Sequence, residues 1–149
     1  MMLDIFKTVL LCDHVVLDVQ NKHSVIGIYS GDLVVSDLPA NLRLSLFMIF
    51  VPEREGDNAI ELEFFLNESA AAKAVTKVKV KKAGVPTPIV LSYFEVNIAE
   101  NTQLRLSAKV NDMEIGTILE KEIYVLKGAE SAASPSTSRQ TVHADLKQA

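Results

Sequence analysis

Cysteine, histidine and aspartate, which bind metals and activate nucleophiles, occur together near the start of the chain. Cys12 and His14 lie two residues apart in the run LLCDHVVLD, which ends at Asp18. Side chains of a strand alternate between its faces, so an extended conformation puts Cys12 and His14 on one face, with Asp18 on the same parity. Such a set could hold a metal ion or pair a thiol nucleophile with a histidine base.

The spacing of these residues favours a structural role over a chemical one. Strong metal motifs have paired ligands at short spacing, whereas this chain has a single cysteine. We expect Cys12 to be a small buried apolar residue, Asp18 and Asn21 to form a turn, and His23 to be solvated after it. We therefore predict no catalytic, metal-ligating or cofactor-binding residue and no cofactor. The alternative is a small enzyme or metal-binding protein that uses Cys12, His14 and Asp18.

The elements that must position these residues are strands, because apolar and polar residues alternate with a period of two. The segments NLRLSLFMIFV (from Asn41), AIELEFFLN (from Ala59) and QLRLSAKVN (from Gln103) show the alternation of a half-buried strand. No segment shows a helical period over three turns, although the Ala-rich ESAAAKAV at 68–75 could form a helical turn. Five residues on apolar parities are expected in the core: Leu44, Leu46, Phe64, Leu91 and Leu106.

Turn residues separate these strands at short intervals. The runs DVQNKHS, SDLPAN, PEREGDN and KKAGVPTP supply turn formers, and VND at 110–112 is typical of a tight hairpin. About eight strands at a spacing of about 8–15 residues predict an all-β fold. We expect a single antiparallel β-sandwich with immunoglobulin-like topology, without the Cys–Trp–Cys signature of antibody domains.

Length and composition predict one domain and a tail. The chain has 149 residues, of which 48% are hydrophobic, enough for one core. We expect a sandwich domain over 1–127. Residues 128–149 are rich in Ala, Ser and Thr and contain two large aliphatic residues, so they are predicted to form a disordered or weakly ordered tail.

Charge and cysteine content exclude several classes of protein. A net charge of −4 argues against a nucleic-acid binder. One cysteine cannot form an internal disulfide, and Leu11 before Cys12 does not fit a lipoprotein cleavage site. No run approaches the roughly 20 apolar residues of a membrane span. We therefore predict a cytoplasmic protein that contacts neither nucleic acid nor membrane.

Two runs of like charge have two interpretations. Each could be a solvated face, the interpretation we favour, since lysines also protect a strand edge from aggregation. Alternatively, the two runs could be complementary patches that steer a partner. The basic run contains Lys73, Lys77, Lys79, Lys81 and Lys82, and the acidic run contains Glu53, Glu55, Asp57, Glu61 and Glu63.

The stretch LCDHVVLDVQNKHSVIGIYSGDLVVSDLP resembles the opening of a family of uncharacterised bacterial and phage-borne proteins. The resemblance covers residues 5–127, with RLSAKVNDMEIGTILEKEIYVL similar to the closing hairpin. It departs at Asn21, where the pattern expects Gly. It implies an immunoglobulin-like sandwich of unknown function, and no site residue. Its matching positions are Asp13, Val15, Asp18, Lys22, Ser24, Gly27, Ile28, Tyr29 and Pro39.

These observations predict a non-catalytic binding or assembly module that acts through protein partners. A sandwich presents loops at its ends and strand edges at its sides, and both suit protein partners. The partner is not identified by the sequence, and self-association through a sheet edge is one form such binding could take.

Overall fold

The computed structural model describes residues 5–126, and within that range every regular element is a strand. There are nine strands rather than about eight, and the predicted tail at 128–149 lies outside the described residues. None of the described residues belongs to a helix with the length and apolar character needed to cross a membrane. The strands are β1 (Phe6–Leu17), β2 (His23–Ile28), β3 (Leu33–Val35), β4 (Ala40–Phe50), β5 (Gly56–Leu66), β6 (Ser69–Val80), β7 (Thr87–Ile98), β8 (Thr102–Val110) and β9 (Met113–Val125).

The strands form two sheets. One has the order β2-β1-β4-β7 and the other the order β3-β9-β8-β5-β6. The expectation of a purely antiparallel fold is wrong at one place, because β3 pairs with β9 in parallel. β3 is only three residues long and pairs with a strand about ninety positions later in the chain. The local sequence pattern therefore does not predict it.

The alternating pattern is confirmed in the strands that build the core. Along β8, apolar residues from Leu104 to Val110 are buried at every second position. Four of the predicted core residues are fully buried: Leu44, Leu46, Phe64 and Leu106. The fifth, Leu91, is only half-buried, because it lies on the edge strand β7 beside an irregularity in its pairing with β4. Phe64 of one sheet and Phe94 of the other lie with ring centroids 4.3 Å apart, so the core joins both sheets.

The Ala-rich segment is strand, not a helical turn. Ser69 to Val75 pairs with β5 as the first half of β6. A two-residue turn, Asn67–Glu68, connects the two strands, and Asn67 has a φ of 55°. Alanine has little strand preference of its own, so pairing with β5 overrides local propensity here.

β1 does not run straight. His23 pairs with Leu17, while Phe47 pairs with Leu10. Seven residues of straight strand would separate those levels by about 23 Å, yet the His23 and Phe47 rings are 5.5 Å apart. β1 therefore bends, and the turn end of the β1–β2 hairpin lies against Phe47 of β4.

Candidate functional site

Cys12 lies in β1 and is completely buried, as predicted. Its neighbour across the strand pair is Ser45, which is also fully buried. The thiol donates a hydrogen bond of 3.5 Å to the Ser45 carbonyl oxygen. Burial, and secondarily the negative charge of Asp13, raises the pKa of the thiol. A protonated, enclosed thiol is a poor nucleophile and a poor metal ligand.

Asp18 holds the turn between β1 and β2, which confirms its predicted role as a turn former. Its Oδ1 accepts hydrogen bonds from the backbone N–H groups of Gln20 (2.8 Å) and Lys22 (2.9 Å). Its carbonyl accepts from the N–H of Asn21, whose φ is 63°. Asn therefore takes the left-handed position that the pattern assigns to Gly.

The three residues first considered for chemistry do not converge. Cys12 is enclosed beside Ser45, His14 is half-buried opposite Ile26, and Asp18 lies in the turn. Within residues 5–126, no three His, Cys, Asp or Glu side chains are arranged to hold a metal ion. The prediction that His23 is solvated is wrong, because its ring packs on Phe47.

A different set of polar residues does come together, at the end of β2. The hydroxyl of Tyr29 donates a 2.8 Å hydrogen bond to Oδ1 of Asp13. The Asp13 carboxylate lies over Gly27, whose φ is 71°, and a Cβ on Gly27 would collide with that carboxylate. Glycine is thus needed for its backbone conformation and for the room it leaves.

This contact changes the acidity of Tyr29. Burial, then the hydrogen bond to Asp13 and the negative charge of that carboxylate, raises the pKa of Tyr29 to about 12. The phenol is therefore neutral near pH 7 and serves as a donor that fixes the carboxylate over Gly27. The arrangement leaves the Asp13 carboxylate exposed near the outer strand β2.

The β1–β2 hairpin carries an exposed apolar surface. Five of the ten exposed large hydrophobic side chains in residues 5–126 lie in it: Val16, Leu17, Val19, Ile26 and Ile28. Ile26 is 44% and Ile28 47% exposed, and both project from the same face of β2. Exposed apolar groups concentrated in one place mark interaction surfaces more often than scattered ones do.

β2 is also one of the two outer strands of its sheet, the other being β7. Among the described residues it pairs only with β1, so its second side has no strand partner. The strand reads HSVIGI and contains no Asp, Glu, Lys or Arg. We call the unpaired backbone side of β2, together with the side chains of Ser24, Ile26 and Ile28 on one face of the strand, the β2 edge. It lacks the charges that usually protect an exposed strand from pairing with another chain.

β6, one of the two outer strands of the other sheet, is protected. β6 carries Lys73, Lys77 and Lys79 along its exposed side. The predicted acidic and basic runs meet there: Lys73 pairs with Glu61 at 2.7 Å, and Lys79 lies opposite Asp57. The charges thus neutralise each other on one face, where Arg105 and Lys109 of β8 also lie opposite Glu120 and Glu114 of β9.

Sequence reasoning missed the β2 edge and the Asp13–Gly27–Tyr29 contact. SVIGIY lacks alternation, and an apolar run of that kind is typical of a buried strand. One signal for the β2 edge was available in the sequence: HSVIGI contains no Asp, Glu, Lys or Arg, whereas β6 contains three lysines. The contact over Gly27 depends on the pairing of two strands, which the turn alone does not determine.

No protein-family model matches the chain, and no curated protein is similar to it at a significant level.

Proposed function

We propose that this chain is a non-catalytic protein-binding module that takes an extended segment of a partner protein onto the β2 edge as an additional strand. The observation that carries the proposal is an outer strand with two exposed isoleucines and no charged residue. In strand addition, backbone hydrogen bonds supply affinity and alternate side chains supply specificity. Ile26 and Ile28 would serve as those side chains.

The chemical groups considered first support a role without catalysis. The Cys12 thiol is enclosed and directed at a backbone carbonyl, and the Asp18 carboxylate is engaged by two backbone N–H groups of its turn. Both groups therefore act in the fold. The proposal includes no nucleic-acid or membrane partner, because Lys73 and Lys79 of β6 lie opposite Glu63 and Asp57 of β5 instead of forming a basic patch.

An immunoglobulin-like β-sandwich is proposed as the architecture. It is supported by the strand order: β1, β4 and β7 correspond to strands A, B and E, and β6, β5, β8 and β9 to strands C′, C, F and G. The connections β4–β5, β6–β7 and β7–β8 each cross between sheets, as in a Greek key. On this assignment β2 is an added strand outside strand A, and the β2 edge is the surface that it adds.

The family and location expected from the sequence are part of the same proposal. Membership in the family of uncharacterised bacterial and phage-borne proteins is supported by contact among three of its motif positions, Asp13, Gly27 and Tyr29. In homologous sequences, positions 13 and 27 should then change together. A cytoplasmic location is supported by a single cysteine with a free, buried thiol, and cell fractionation tests it.

The test is affinity capture from the native host with the tagged full chain. Three baits are compared: wild type, Ile26→Lys and Val75→Lys. Ile26 and Val75 are both exposed and lie on outer strands of opposite sheets. At least one protein, which can be an untagged copy of the chain, should be retained by wild type and Val75→Lys. Its recovery should fall at least about tenfold with Ile26→Lys, the change for a loss near 1.4 kcal/mol.

Capture is followed by hydrogen exchange with the purified captured protein. Addition of that protein should slow exchange of the β2 amides and leave those of β6 unchanged. Identical recovery on all three baits, or no specific capture by wild type, would overturn the proposal.

A further inference from the structure

We propose that the outer face of the five-stranded sheet carries a second binding site, which takes a small, neutral molecule with several hydroxyl groups, namely a sugar unit. The site is a groove of about 290 Å³ formed by β5, β8 and β9, on the opposite sheet from the β2 edge. That volume is near the lower end for ligand sites in proteins, so the ligand is small. The site goes beyond the proposed protein binding and does not depend on it.

Short side chains form the floor of the groove. Ser107 of β8 lies opposite Thr117 of β9, and Gly116, beside Thr117, has open space where a Cβ would stand. β9 has one extra residue on each side of Gly116–Thr117, at Ile115 and Ile118, because its pairing with β8 shifts twice. Bulges of this kind re-aim side chains and are frequent beside active sites. Here they remove Gly116 and Thr117 from the regular register of the sheet.

Long side chains close the two ends of the groove. At one end the guanidinium carbon of Arg105 lies 4.3 Å from the centre of the Phe65 ring, a contact that holds the long cation in place. At the other end Lys109 lies opposite Glu114 in the strand register. Charged and polar groups therefore predominate in the lining, and an apolar ligand would leave them buried without partners.

The polar groups of the groove are not used by the fold. Elsewhere on this face Lys73 and Glu61 form an ion pair at 2.7 Å. In the groove itself, five side chains make no hydrogen bond or ion pair with any other described residue, although they face a common hollow. Donors and acceptors arranged in this way are available to a ligand. The five side chains are those of Glu63, Ser107, Lys109, Glu114 and Thr117.

The mixture of charges selects a neutral ligand. Glu61, Glu63 and Glu114 would repel a phosphate, and no group of side chains in residues 5–126 is arranged to hold a metal ion. Lys109 lies opposite Glu61 on one side and Glu114 on the other, so a zwitterion finds no region of a single sign. A hydroxyl group both donates and accepts hydrogen bonds. Two neighbouring hydroxyls can therefore donate to Glu114 and accept from Lys109 together, and a sugar ring supplies such pairs.

Titration of the isotopically labelled full chain, followed by NMR, tests the proposal. The probes are glucose, galactose, mannose and N-acetylglucosamine. At least one of them should shift the amide signals of Ser107, Gly116 and Thr117 in a saturable way, with a Kd on the order of 1–10 mM because the groove is shallow and open. Inorganic phosphate and glycine serve as the matched anion and zwitterion, and neither should produce a saturable shift there.

Variants locate the site. Glu63→Gln should raise the Kd roughly tenfold, because a neutral amide accepts a weaker hydrogen bond than a carboxylate does. Ser107→Tyr fills the floor and should abolish binding. Glu95→Gln, at an exposed position of β7 in the other sheet, is the matched control and should bind as wild type does. Ile26→Lys should also bind as wild type does. Circular dichroism verifies that each variant is folded.

Every contrary result decides against the proposal. If none of the four sugars gives a saturable shift, or if phosphate or glycine gives the same shift, the proposed ligand is wrong. An unchanged Kd in Glu63→Gln, or a loss of binding in Ile26→Lys, would mean that the sugar binds outside the groove. None of these results bears on strand addition at the β2 edge, which the capture experiment tests separately.

Discussion

The β1–β2 and β5–β6 hairpins end the two sheets and are built alike, yet they present opposite surfaces. Each is antiparallel, each is closed by a turn with a left-handed Asn, and each supplies an outer strand. β6 displays lysines beside small alanines, whereas β2 displays isoleucines and no charge. The side chains therefore make β6 more resistant to pairing with a further strand than β2.

The two hairpins also differ in how they are attached to the core. β5 contributes fully buried Ile60, Leu62 and Phe64, so the β5–β6 hairpin is part of the central packing. The β1–β2 hairpin beyond Cys12 contains no fully buried side chain and is held by the Asp18 turn, the His23–Phe47 contact and the Asp13–Tyr29 hydrogen bond. The residues of this hairpin can therefore vary without loss of the core.

The largest expected effect tests this difference in attachment. Phe64→Ala should lower the free energy of unfolding by about 3–5 kcal/mol, because it removes a ring packed against Phe94 between the sheets. Ile28→Ala, in the exposed hairpin, should cost about 0.5 kcal/mol or less. Urea unfolding at low protein concentration measures both. Equal losses would mean that the β1–β2 hairpin is as much a part of the core as β5.

A second variant tests how the exposed hairpin is held. Gly27→Ala should destabilise by about 1–3 kcal/mol, because alanine disfavours a φ of 71° and its Cβ meets the Asp13 carboxylate. Gly31→Ala is the matched control: nothing lies near its Cβ, and it should be close to neutral. Thermal unfolding compares the two.

A double variant separates the two causes. Asp13→Ala should recover part of the loss in Gly27→Ala, since the clash disappears and the backbone strain stays. If Gly27→Ala is as stable as wild type, then the carboxylate does not lie over Gly27.

These residues show how far the sequence could be read. The alternation of apolar and polar residues predicted β4, β5, β8 and four core residues. It could do so because a strand that is buried on one face shows that pattern in its own sequence. Asp18 and Asn21 were predicted as turn formers from residue type alone. β3 and the first half of β6 were not predicted, because long-range pairing forms them. The Asp13–Tyr29 contact also depends on strand register, and neither residue signals it locally.

The pH dependence of stability sharpens the account of Asp13 and Tyr29. The pKa of Tyr29 is about 12 in the folded protein against an ordinary 10. The stabilisation that Tyr29 contributes is therefore fully present below pH 10. That stabilisation is lost as pH rises from 10 to 12, since the unfolded chain ionises first. After allowance for partial solvent screening, the loss should be on the order of 1–2 kcal/mol.

Two variants identify the origin of this dependence. Tyr29→Phe should remove the decline that Tyr29 contributes. Asp13→Asn should end the decline at a lower pH, because burial still raises the pKa of Tyr29 but the hydrogen-bonded anion no longer does. Chemical unfolding at a series of pH values measures the slope. A slope identical in all three proteins would place the Asp13–Tyr29 hydrogen bond outside the folding equilibrium.

The smallest expected effect concerns the charges of β6, which we interpret as protection rather than support. Glu61 and Lys73 form a close but solvated pair, and such pairs contribute little to stability. The hydrogen bond to Lys73 lowers the pKa of Glu61, so what the pair contributes is lost as pH falls below the ordinary value for glutamate. Glu61→Gln should leave the thermal midpoint nearly unchanged at pH 7.

Lys77→Thr with Lys79→Thr should likewise unfold as wild type does, yet light scattering should show new association at high concentration, because β6 would then resemble the β2 edge. If the double variant unfolds at a lower temperature and stays dispersed, the lysines stabilise the sheet, and the contrast between the two edges is not one of protection.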